Sequence, residues 1–165
     1  PSPHRMDTTA KAHLIDDVRK ALYCAKACSY AQGMNLLSVA SRTRGWNLPF
    51  GQIASIWRGG CIIRAQFLGR IKAAFDRDAN LPNLLLDPSF VEVVGARQES
   101  WRRVVGLAAQ AGVSALAMSS ALSYYDMIRR ERLPANLIQS QRDLFGAHTY
   151  ERTDMPGSFH SEWAK

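Results

Sequence analysis

The sequence predicts an all-α protein, and three observations carry that expectation. Apolar residues recur at three- and four-residue steps over most of the chain. No segment shows the strict alternation of a half-buried strand. Glycine, proline and short polar clusters punctuate the helical runs, giving five to seven helices before an irregular tail from Thr149 to Lys165.

Taken in order, Pro1 to Asp7 reads as a disordered leader, after which Asp7, Thr8 or Thr9 can cap a long helix reaching about Ser41. Ala10, Ala12, Ala21, Ala25, Ala27, Ala31 and Ala40 favour that helix strongly. Leu14, Val18, Leu22, Ala25, Cys28 or Ser29, Gln32 and Leu36 recur at helical steps and predict its buried side. Gly33 interrupts the run at a cost of up to ~1 kcal/mol against alanine, which close helix packing would justify. The stretch Gly45 to Pro49 ends the pattern, and Phe50, Ile53, Ala54 and Trp57 predict a short helix closed by Arg58-Gly59-Gly60.

Ile62, Ala65, Phe67, Leu68, Ile71 and Phe75 predict another helix over Cys61 to Phe75. Asp87 is placed to cap a helix with Pro88 in its first turn, containing Phe90, Val91 and Val94. Trp101, Val104, Val105 and Ala108 predict a helix from near Gln98 to Gly112, and Ser114 caps the next, which runs to Arg132. From Leu133 onward, Pro134 suits a first turn, Leu137, Ile138, Leu144 and Phe145 form an apolar stripe, and Gly146 stands where a helix stops.

Composition narrows the function. With 47% apolar and 21% charged residues, 165 residues suffice for one core. A net charge of +7 and a pI near 9.7 favour anionic partners, but the cations are scattered and no nucleic-acid module accompanies them. A small phosphorylated molecule is therefore expected rather than DNA or RNA. No apolar run spans a membrane, and three cysteines, Cys24, Cys28 and Cys61, make no disulfide framework, which suits the cytoplasm. Cys24 and Cys28 lie one helical turn apart, yet no histidine follows at ligand spacing, so buried packing is expected rather than metal binding.

Arg142 and His148 are the candidate binding residues. The expected helix sets Arg142 on its last turn and His148 just past its end, so a guanidinium and an imidazole converge on one anion. Arg102-Arg103 and the arginines at 129, 130 and 132 read instead as exposed or helix-end cations.

Four motifs in order, Trp57-Arg58-Gly59-Gly60-Cys61-Ile62-Ile63-Arg64, Asn83-Leu84-Leu85-Leu86-Asp87, Ser100-Trp101-Arg102-Arg103 and Leu133 to Glu151, resemble decarboxylating 6-phosphogluconate dehydrogenase. The resemblance runs from about Ile15 to Trp163 and covers the second half of that family's all-helical domain plus its tail. It implies a helical domain over 8–132, and over 133–165 a helix and tail that reach a partner subunit. It also implies oxidation of 6-phosphogluconate by NADP with loss of carbon dioxide, in a homodimer that needs no metal.

In that family the acid and base lie in earlier segments, so no catalytic residue is assigned here. Arg142 and His148 match the arginine and histidine that bind substrate across the dimer interface. NADP would be held by a nucleotide-binding domain ahead of these residues, since no Gly-x-Gly-x-x-Gly turn follows a strand here. The chain alone is expected to be inactive. The alternative is a free-standing helical dimerisation module without catalytic activity.

Overall fold

In a computed structural model of the chain, residues 7–60, 62–63 and 65–163 are described. Seven α-helices appear among them: α1 Thr8–Arg44, α2 Phe50–Trp57, α3 Phe67–Arg77, α4 Pro88–Gly95, α5 Gln98–Gln110, α6 Leu116–Ile128 and α7 Asn136–Gly146. A two-residue antiparallel pair, β1 Tyr150–Glu151 and β2 Ser158–Phe159, gives the tail more order than the sequence predicts. The chain forms two compact units that divide between Asp126 and Met127.

The first unit is built on α1. Asp7 caps it by accepting the Ala10 N–H at 2.7 Å, and Gly45 ends it in the left-handed region at φ 66°. Helix α5 runs antiparallel along α1, as two contacts six residues apart on each helix show. Arg103 pairs with Asp17 at 2.8 Å, and the Arg97 guanidinium lies over the Tyr23 ring at 5.4 Å. The hydrogen bonds from Arg103 hold Asp17 down to about 2.

The buried side of α1 overlaps the expected stripe only in part: Ala25 and Cys28 are buried as expected, together with Ala21, Cys24, Ala27, Ala31 and Met34, whereas Leu22 and Leu36 are 57% and 71% exposed. Small side chains let neighbouring helices approach closely, and the large aliphatics are left on the outer face. Nothing lies within 4 Å of where a Gly33 Cβ would stand, so close packing does not account for that glycine in this chain.

The predicted helix over Cys61 to Phe75 starts late, at Phe67. Cys61 and Arg64 lie outside the described residues. Ile63 sits in a turn whose carbonyl accepts the Tyr30 hydroxyl at 2.8 Å, and Ile62 is fully exposed. Asp87 caps α4 as expected and is also buried, accepting the Ser89 N–H and a forked pair of bonds from Arg77. Helix α6 ends at Ile128, ahead of the expected Arg132.

Leu68, Ile71, Phe75, Leu84, Phe90, Val94 and Trp101 fill the core around α1. Trp101 is fully buried, stacks obliquely on Tyr125 with centroids 6.0 Å apart, and donates its indole N–H to the Met118 carbonyl. Burial pushes the Cys24 thiol up to about 11 and the Cys28 thiol up to about 12, as expected of inert packing cysteines. No described helix is long and apolar enough to cross a membrane.

Candidate functional site

The second unit carries both candidate binding residues. Helix α7 turns its polar side inward and its apolar side outward, the reverse of an ordinary amphipathic helix. Gln139 and Ser140 are half-buried and Asp143 is wholly buried, while Leu137, Ile138, Leu144 and Phe145 are exposed. A helix with that distribution presents an apolar stripe for which this unit supplies no cover.

Arg142 is exposed and donates to the neutral side-chain amide of Gln139 at 3.0 Å. Among the described residues no carboxylate is paired with it. The other tail arginine, Arg152, differs: Asp154 neutralises it and Phe159 stacks beneath it at 5.6 Å. Similarly, Arg102 and Arg103 are engaged by Asp126 and Asp17, so the Trp-Arg-Arg motif is internal pairing.

His148 comes to the same face through the geometry of the helix end. Gly146 follows Arg142 by four residues, so the two positions stack on one side of α7. The imidazole folds back over Gly146: a Cβ there would stand 3.0 Å from its Nε2 and 3.2 Å from its Cδ2. The imidazole is thus seated one helical turn from the position of Arg142, and both residues are exposed. Helix α7 stops at Gly146 as expected, but the left-handed residues that follow are Ala147, at φ 49°, and Thr149, at φ 59°. Gly146 matters for its missing side chain.

That contact has a measurable consequence. Gly146→Ala should add up to ~1 kcal/mol of helix stability while forcing the imidazole off its seat. Urea unfolding is expected to show equal or greater stability, and the His148 ring resonances in NMR are expected to shift. Unmoved resonances would mean that another contact fixes the ring.

Sequence reasoning missed Asp143. Its carboxylate accepts the Thr149 N–H at 3.0 Å, the Ser161 N–H at 2.9 Å and the Trp163 indole N–H at 2.9 Å, and pairs with His160 Nδ1 at 2.9 Å. Burial alone raises its pKa, yet bonds from Ser161, His160 and Trp163 bring it down to about 2. Within the helix no pattern marks this residue, since its donors lie six to twenty positions downstream.

Arg142 and His148 both lie exposed. A cavity of about 450 Å³ in this unit is lined by Asn136, Gln139, Ser140, Arg152, Ser161 and Trp163 among others, and includes neither Arg142 nor His148. In the first unit, a groove of about 610 Å³ between α1, α5 and α6 is lined almost wholly by apolar side chains. Among the described residues no three His, Cys, Asp or Glu side chains gather as a metal site. Two exposed donor groups, a guanidinium and an imidazole, can bind a phosphate or carboxylate, and they require a second surface to exclude water.

Comparison with known proteins identifies the family. Residues 1–163 match the family model described as 6-phosphogluconate dehydrogenase, C-terminal domain. Decarboxylating 6-phosphogluconate dehydrogenase 2 of Arabidopsis thaliana is 63% identical over 155 residues, covering 94% of this chain and 32% of that protein. The decarboxylating enzyme of Synechococcus elongatus is 58% identical over 149 residues, covering 90% of this chain and 32% of its own length. Similar plant proteins include forms named chloroplastic. Plasmodium falciparum 6-phosphogluconate dehydrogenase, described in its apo form and in complex with its cofactor NADP+ and its substrate 6-phosphogluconate, superposes with a TM-score of 0.88 at 41% identity. That match covers 99% of this chain and 34% of the Plasmodium chain. The chain spans about a third of the length of these relatives.

Proposed function

The chain belongs to the 6-phosphogluconate dehydrogenase family, and from that premise we propose that it acts as the C-terminal portion of a decarboxylating enzyme. The enzyme oxidises 6-phosphogluconate with NADP and releases carbon dioxide to give ribulose 5-phosphate, in the pentose phosphate pathway. NADP, the base and the acid are assigned to no residue of this chain. What this chain supplies is Arg142 and His148, substrate-binding residues on a helix and tail spanning 133–165, behind a helical domain spanning 8–132.

The observation that carries this reading is the shared face of α7. A guanidinium without a carboxylate partner among the described residues stands one turn from an imidazole seated on a glycine. Both groups are exposed in the single chain. Their site therefore has to be completed by other residues, and the apolar stripe of Leu137, Ile138, Leu144 and Phe145 supplies the surface for a second subunit. A homodimer with sites shared between chains meets both requirements. The proposed compartment is the cytoplasm, which suits the free, buried Cys24 and Cys28.

Hybrid dimers of the full-length enzyme test this reading. Arg142→Ala subunits are mixed with subunits disabled in the nucleotide-binding segment, each homodimer being impaired alone. If Arg142 serves the opposite subunit, random pairing restores one complete site in half the dimers, about a quarter of wild-type activity in a symmetric assembly. No recovery would place Arg142 in its own subunit's site. A full-length protein that dimerises but never reduces NADP with 6-phosphogluconate would favour the non-catalytic module.

A further inference from the structure

We infer that Asp143 is the positioning residue for the anion grip, and that docking of the tail's last residues on its carboxylate sets the aim of His148. The inference rests on the substrate-binding reading of Arg142 and His148.

Asp143 neighbours Arg142 in sequence but points the opposite way, into the unit, and is the one residue of α7 that is fully buried. It grips the chain on both sides of His148. Its backbone carbonyl accepts the Ala147 N–H at 2.9 Å, and its Oδ1 accepts the Thr149 N–H at 3.0 Å. The Gln139 amide closes the same segment by donating to the Thr149 carbonyl. Ala147 and Thr149 both take left-handed backbone angles, which residues with a Cβ rarely adopt and which local bonds must enforce. His148 is thus suspended between two tethered residues, and that suspension turns its ring onto Gly146 beside Arg142.

The other carboxylate oxygen faces the end of the tail. Oδ2 accepts the Ser161 N–H and the Trp163 indole N–H, while Oδ1 also meets His160 Nδ1. Two partners on each oxygen use the carboxylate's full acceptor capacity. An amide cannot replace it, since only one of its two heteroatoms accepts. Docking of residues 160–163 and the turn at 147–149 therefore share one charged hub, and loosening the first loosens the second.

A purely structural clamp would hold the tail without bearing on substrate, and the kinetics of the full-length enzyme separate the two roles. Asp143→Asn is expected to raise the KM for 6-phosphogluconate by about tenfold or more, as a displaced binding group does, with the KM for NADP and the dimer content unchanged. Trp163→Phe, which removes one donor to Oδ2, should move the same constant in the same direction by less. In a His148→Ala background, both changes should add less than twofold, because the group they position is gone.

An unchanged substrate KM in His148→Ala would overturn the binding reading itself. A raised KM in His148→Ala with Asp143→Asn and Trp163→Phe both silent would overturn the positioning role and leave the binding reading standing. Full additivity with His148→Ala, or a parallel rise in the NADP constant, would reduce Asp143 to a structural clamp. If Asp143→Asn does not yield folded protein, Trp163→Phe alone and combined with His148→Ala distinguishes positioning from clamping in the same way.

Discussion

Arg142→Ala in the full-length enzyme is expected to raise the KM for 6-phosphogluconate at least 30-fold, with the NADP constant and the unfolding midpoint unchanged. The size of the effect is the informative part. A solvent-exposed ion contact contributes about 0–1 kcal/mol, which is less than about a sixfold change. Truncating one partner of a water-excluded, hydrogen-bonded charge pair costs ~2 to 5 kcal/mol, and 2 kcal/mol is about 30-fold. Arg142 is exposed in the single chain, so the larger effect requires another surface to close over it. A change of only a few-fold would therefore argue against a closed, shared site even if Arg142 touches substrate. Arg142→Lys should recover only part of the loss, since it restores the charge but not the planar fork. Stability should hold because the side-chain bond lost is an exposed one to Gln139.

Most of the helices were legible because their signals are local. Asp7 and Asp87 carry their own capping geometry, and Gly45 ends α1 where the periodicity stops. The buried side of α1 was legible only in part, at Ala25 and Cys28. Periodicity weighted by large aliphatics also selects Leu22 and Leu36, but close packing selects Ala21, Cys24 and Ala31, and these two sets occupy different sides. The same rule misleads at α7, where an apolar stripe marks a surface left outside by this chain and the polar side faces inward. Of the site, the types and spacing of Arg142 and His148 could be read directly. The helix stop at Gly146 was also legible, but the imidazole folded over that glycine, within a turn that holds two left-handed residues, was not. Asp143 was invisible because its donors come from residues 149, 160, 161 and 163, and nothing in the sequence states that this tail returns to α7.

A mutation in the first unit should show the opposite signature, loss of stability with substrate affinity intact. Trp101→Ala is expected to destabilise by ~3 to 5 kcal/mol, the range for truncating a buried large aromatic. Three effects combine at this site. The side chain is fully buried, so its apolar area is lost from the core and a cavity remains. The contact with Tyr125 disappears, and the Met118 carbonyl loses the indole N–H that satisfies it. Against a typical total of about 5–15 kcal/mol, such a loss leaves a large unfolded fraction in a marginal protein. Trp101→Phe should keep most of the packing and forfeit the hydrogen bond, at a cost of about 1–3 kcal/mol. Urea titration followed by circular dichroism measures both changes, and equal losses for the two variants would assign the effect to the bond rather than the cavity. Since the substrate-binding reading assigns no role to Trp101, the folded fraction of either variant should keep its KM for 6-phosphogluconate. A raised constant there would mean that the helical core also shapes the anion site.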